Sequence, residues 1–197
     1  MSSIIQIKKI TCESVDADIK YLLDQINYVN GPVDIDKLLE LLGIKKIETR
    51  IDVDNVIASL QICEFFKKKY NNPKVVFVDD KYYKEIQDFC IAGVISDYIY
   101  NYNNRLSFSS TKGYYVDKSL LSRLSNYFAL GLSMPEDVFK EKYYEFKGDT
   151  NPTLDGDVIY LLSMYFHVPY MKAEERISNF LKQEAKQKVK IQEYKKI

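Results

Sequence analysis

The stretch from about Tyr82 to Tyr102 most constrains the fold of this 197-residue chain. Its middle, Phe89 to Ile95, has no charged or strongly polar side chain, and Ile86, Phe89, Cys90, Ala92, Gly93, Val94 and Ile99 recur around a helix rather than on one face. A helix that is apolar nearly all round needs cover on several sides, so it belongs in the middle of a core. Just before it, Lys74-Val75-Val76-Phe77-Val78-Asp79 is the best strand in the sequence, β-branched and bounded by Asn71-Asn72-Pro73. Its unbroken apolar character predicts burial on both faces.

The remaining segments read as helices around this pair. Ile19, Leu22, Leu23 and Ile26 space an amphipathic helix over about 15–29, stopped by Asn30-Gly31-Pro32. Ile35, Leu38, Leu39 and Leu42 space a second over 34–42, with Gly43 as its terminating glycine. Asp54 reads as the N-cap of a longer helix ending in Lys67 to Lys69. Residues 105–116 supply one or two short strands. Helical spacing returns over 119–132 and 136–146, a loop covers 147–153, and two helices broken at Pro169 complete the chain. The expected class is α+β, mainly helical with a small antiparallel or mixed sheet.

Composition narrows the function classes. Lys plus Arg number 28 against 28 for Asp plus Glu, so the chain has no global attraction to nucleic acid or anionic lipid. The longest apolar run falls far short of the roughly 20 residues that span a bilayer, and 1–20 carries no secretory apolar region. Cys12, Cys63 and Cys90 make neither a disulfide framework nor a metal-binding pair, which favours a reducing cytoplasm. His167 is the only histidine. Sites needing two imidazoles are thereby excluded, and His167 itself, at a helix end, reads as a packed or capping residue.

Four segments together carry a family resemblance: Pro32 to Ile44, the Val75–Asp79 strand, the helix from Gln87 to Tyr98, and Asn126-Tyr127-Phe128-Ala129-Leu130-Gly131-Leu132-Ser133-Met134-Pro135. The chain resembles the ImmA/IrrE family of zincin-like metallopeptidases over about 30–181, the closing stretch being Leu161 to Pro169 with Glu175-Arg176-Ile177. In that family a strand precedes a helix reading approximately R-F-T-I-A-H-E-L-G-H, and a later helix reads approximately E-x-x-A-N-x-F-A-x-x-L-L-M-P. The resemblance implies a minimal zincin-like core with N-terminal helices over 1–146 and a helical extension over 147–197.

It also implies a lost active site. Two imidazoles one helical turn apart, a glutamate beside the first and a ligand from the second helix are what zinc peptidase chemistry needs. Here the two histidine positions fall on Gly93 and Asp97, the glutamate on Val94, and the second helix's acidic ligand near Ser122. Phe89, Ala92, Asn126, Phe128, Ala129, Met134 and Pro135 match the family as placing residues only. The expectation is a pseudoenzyme without catalytic residues, metal or other cofactor: a cytoplasmic protein-binding regulator from a phage or other mobile element of a low-GC bacterium. Its target would be a repressor, a sibling protease or a host defence factor. Homo-oligomerisation stays open.

Other signals point elsewhere. Asp34, Asp36 and Glu40 on the first helix pair count against a helix-turn-helix role, and the Lys182–Ile197 tail, with six lysines against two glutamates, reads first as a solvated helix end. A DNA-binding regulator, or a hydrolase using Asp97, His167 or an acidic pair, is the alternative. Cys90 reads as a buried thiol, and Asp149, Asn151, Asp155 and Asp157 miss the calcium-loop spacing around Pro152, with Thr153 as a helix cap. Seventeen tyrosines leave some rings for an interface, with Tyr98, Tyr102, Tyr114 and Tyr115 as candidates, although AT-rich coding explains their number equally well.

Overall fold

The structure is a computed structural model that describes residues 10–100, 105–111, 120–148 and 155–194. Its described part holds eight helices and one mixed four-stranded sheet, an α+β and mainly helical fold. In chain order these are α1 (Cys12–Gln25), α2 (Ile35–Leu41), β1 (Lys45–Thr49), β2 (Val56–Ile62), α3 (Glu64–Tyr70), β3 (Lys74–Asp79), α4 (Lys84–Ile99), β4 (Ser107–Thr111), α5 (Leu120–Ser133), α6 (Glu136–Lys147), α7 (Gly156–Phe166) and α8 (Tyr170–Tyr194).

The sheet order is β1-β3-β2-β4, with β1 parallel to β3 and both β3 and β4 antiparallel to β2. β3 is therefore interior, and the expected double burial holds: Val75, Val76 and Val78 are all buried. Val76 and Val78 pair with Leu60 and Ala58 of β2 and join the core beneath α4. Phe77 points the other way, edge-on to Phe66 and Tyr70 of α3 at 5.5 and 6.0 Å.

Asp54 does not start a helix. Val56 to Ile62 is β2, and only Glu64–Tyr70 is helical, with Lys67 to Lys69 in its last turn as expected. β2 lies between β3 and β4, where Val56, Ala58 and Leu60 gain cross-strand partners that helical spacing cannot reveal. β1 was not legible either, because its side chains are exposed or half-buried and alternate without a clear pattern.

Caps fix the helix ends. Thr11 and Ser14 form a reciprocal capping box on α1, and the Asp34 carboxylate accepts from the Lys37 amide at 3.0 Å. Asp155 caps α7, whereas Thr153, the expected cap, lies outside the described residues. His167 does cap a helix end, in a left-handed conformation at φ 51° that lets the Val168 amide reach back to Ser163 at 3.0 Å.

Two apolar clusters fill the molecule. The first joins α1, α2, the sheet, α4 and part of α5, and α4 runs through it with Cys90 to Ser96 all buried. The second joins α6, α7 and α8 to Leu130 of α5 and to Met134 just beyond its end. Thus α6, which the sequence reading groups with residues 1–146, contributes Phe139 and Tyr143 to the C-terminal cluster. Close packing of α1 on α5 uses Gly131, where a Cβ would stand 2.8 Å from Ile19 Cδ1.

Candidate functional site

The residues the sequence singles out converge where α4 crosses α5. α4 leaves the end of β3 through a tight corner. There the side chain of Asp79 is fully buried, with its carboxylate against Lys81 Nζ at 2.6 Å, and Gln87 donates to the carbonyls of Asp79 and Tyr82 at 3.0 Å each. Burial alone would raise the Asp79 pKa, but hydrogen bonds from the Lys81 ammonium and amide, with the charges of Lys81 and Arg50, hold it below the usual carboxylate range. This corner orients the helix whose next turns carry Gly93, Val94 and Asp97.

Gly93 and Val94 are buried among apolar neighbours, and one turn on, half-buried Asp97 accepts a hydrogen bond from the Ser125 hydroxyl of α5. Burial pushes the Asp97 carboxyl up, against the Ser125 hydrogen bond and the Arg105 charge, which lower it. Ser122 lies one turn before Ser125 on α5, and its side chain is outside the described residues.

The next residue, Asn126, turns toward α8. Its Nδ2 donates to Glu175 at 2.7 Å and its Oδ1 accepts from Lys172 Nζ at 2.8 Å, while Lys172 also meets the other Glu175 oxygen at 2.9 Å. Lys172 is buried and stands 5.0 Å from the centre of the Phe89 ring on α4. Three helices are thus tied at one polar knot, using the placing residues Phe89 and Asn126. On the next face, Tyr127 donates to both oxygens of Asp16 on α1 at 2.9 and 3.0 Å. Burial raises both Asp16 and Tyr127, and it pulls down the neighbouring Arg176, which lies 5.1 Å over the Phe139 ring. Ala92, Phe128, Ala129 and Met134 are fully buried, and Pro135 starts α6.

These residues do not fit zinc. Gly93 and Val94 offer no donor atom, the Asp97 carboxylate is engaged by Ser125, and among the described residues no three His, Cys, Asp or Glu side chains are grouped to hold a metal ion. His167 is exposed at the end of α7. Cys90 is buried, while Cys12 and Cys63 are exposed and unbridged.

Of the tyrosine candidates, Tyr98 is half-buried, edge-on to Phe108 at 6.2 Å and hydrogen-bonded by Lys74 at 3.3 Å, so much of its ring is used inside the fold. Tyr102, Tyr114 and Tyr115 lie outside the described residues. The prominently exposed tyrosines are others, among them Tyr83, Tyr160 and Tyr170, which sequence spacing alone does not separate from buried ones. On the first helix pair, Asp36 is paired with Lys46 at 2.7 Å.

Among the described residues no helix is long and apolar enough to cross a membrane. No protein-family model matches the chain, and no curated protein is significantly similar to it.

Proposed function

We propose that this chain is a non-catalytic, protein-binding regulator of ImmA/IrrE-like descent, with a repressor, a sibling protease or a host defence factor as its target. One observation carries the reading: at the α4–α5 crossing, where the resemblance locates a metal site, stand a buried Gly93, a buried Val94 and an Asp97 that accepts a hydrogen bond from Ser125. The order of elements supports it, since β3 leads directly into α4 and α4 packs on the helix carrying Asn126, Phe128 and Ala129. A valine in the general-base position accepts no proton from water, and a carboxylate already hydrogen-bonded is a poor sole ligand.

The test pairs elemental analysis of the purified protein with capture of its target from the source cell. A stoichiometric complex in which the captured protein stays intact, with no zinc bound, supports the reading. Zinc near one equivalent, or cleavage of the captured protein that Asp97→Asn abolishes, overturns it.

A further inference from the structure

Between Asp157 and Lys172 the chain runs fourteen residues without a charge, Val158 to Met171, in a sequence that is 28% charged. Half of α7 explains this by burial: Val158, Ile159, Leu162 and Phe166 face the second cluster. The other half does not. Tyr160 and Met164 are each 56% exposed and Leu161 is 42% exposed, and the three share about a third of the helix circumference. Tyr170 and Met171, at the start of α8, are exposed too, and the Tyr170 hydroxyl reaches to 3.7 Å from where a Gly156 Cβ would stand, one turn from Tyr160. Tyrosine and methionine without charge is the composition of an interface centre rather than of a solvated face.

We infer that this face of α7 is a two-fold interface with a second copy of the chain, formed by antiparallel packing of α7 on α7. A two-fold axis demands that the surface complement itself, residue i meeting j and j meeting i. The sequence of α7 meets that demand in a register whose axis crosses the exposed face level with residue 162, the Leu162 side chain itself being buried on the opposite face. Tyr160 then faces Met164 of the second copy, and the exposed Asp157, the one charge on the stripe, faces the exposed His167. Both contacts occur twice. Aromatic on thioether is favourable packing, and the imidazole at the helix end offers a donor to the carboxylate at the opposing helix start. The hydroxyls of Tyr160 and Tyr170 both donate and accept, so each can pair across the contact. The five apolar side chains expose roughly 500 Å² per copy, which places the dimer near the lower limit of specific interfaces, weak and concentration-dependent.

The register makes the test specific. Sedimentation equilibrium of the full chain is expected to show monomer converting to dimer as concentration rises. Tyr160→Lys and Met164→Glu each bury an unpaired charge in the contact and weaken self-association at least about tenfold. Because both positions are exposed, each variant keeps the melting temperature that the wild type shows at concentrations where it is monomeric. Mixed together, the two variants form a heterodimer in which Lys at 160 meets Glu at 164, and association returns to within a few-fold of wild type. A chain that stays monomeric up to roughly 1 mM, a dimer indifferent to both substitutions, or a mixture that fails to recover would each overturn the proposal.

Discussion

Asn126→Ala tests whether the polar knot between α4, α5 and α8 holds the two clusters together. The amide makes two hydrogen bonds to charged partners, at 2.7 Å to Glu175 and 2.8 Å to Lys172. Hydrogen bonds to charged groups contribute about 1.5–3 kcal/mol each. The Glu175 bond belongs at the low end, because that side chain is 37% exposed and water replaces the lost donor, whereas Lys172 is only 8% exposed and little water reaches it. The expected cost is about 3 kcal/mol, or a fall of roughly 6–12 °C in melting temperature for a chain of this size. Urea denaturation followed by circular dichroism measures it. Lys172→Met keeps the aliphatic stem over Phe89 while removing the charge, so adding Asn126→Ala to it costs about 1–2 kcal/mol less than in the wild type. A loss under about 0.5 kcal/mol for Asn126→Ala, or strict additivity of the two changes, would show that the knot is decoration on an apolar interface.

Two further outcomes follow from buried polar groups. Asp97 has a folded-state pKa above its unfolded value of 3.8, so between those two values the folded chain holds the extra proton and stability rises as pH falls. Asp97→Asn, which keeps the acceptor for Ser125, is therefore more stable than wild type at pH 7, and the difference shrinks as pH drops toward 3.8; a variant less stable at pH 7 would contradict this. Tyr143 is fully buried between Phe139 and Phe180 with no hydrogen-bond partner for its hydroxyl among the described residues, so Tyr143→Phe raises stability by about 1 kcal/mol, read as a higher urea midpoint at unchanged slope.

How far the sequence could be read depended on whether a residue's partner is local. β3 and α4 are legible from their continuous apolar runs, and α2 from its apolar spacing and the glycine at 43 with φ 65°, all set within a few residues. β2 reads as helix from sequence because Val56 and Leu60, four residues apart, satisfy both periods until strands on either side are in place. At the candidate site, the resemblance brought attention to Asp97 and Asn126, and the structure places both on the facing helices α4 and α5. Their pairings were not legible: Ser125 and Lys172 are ordinary surface-type residues in sequence, and Glu175, although part of the closing stretch of the resemblance, carries no sign there that it meets Asn126.

Helix α5 faces both clusters, with Phe128, Ala129 and Leu132 turned to the first and Leu130, with Met134 just past the helix end, to the second. Stripping α6 to α8 away would bare these two large apolar side chains on and just past the helix that anchors Asp97 and α1, at a cost of about 1.5–3 kcal/mol for each side chain returned to water. The two clusters accordingly share one wall, so a single cooperative unfolding transition is the expected outcome, and a fragment ending before α6 would carry an unmet hydrophobic face.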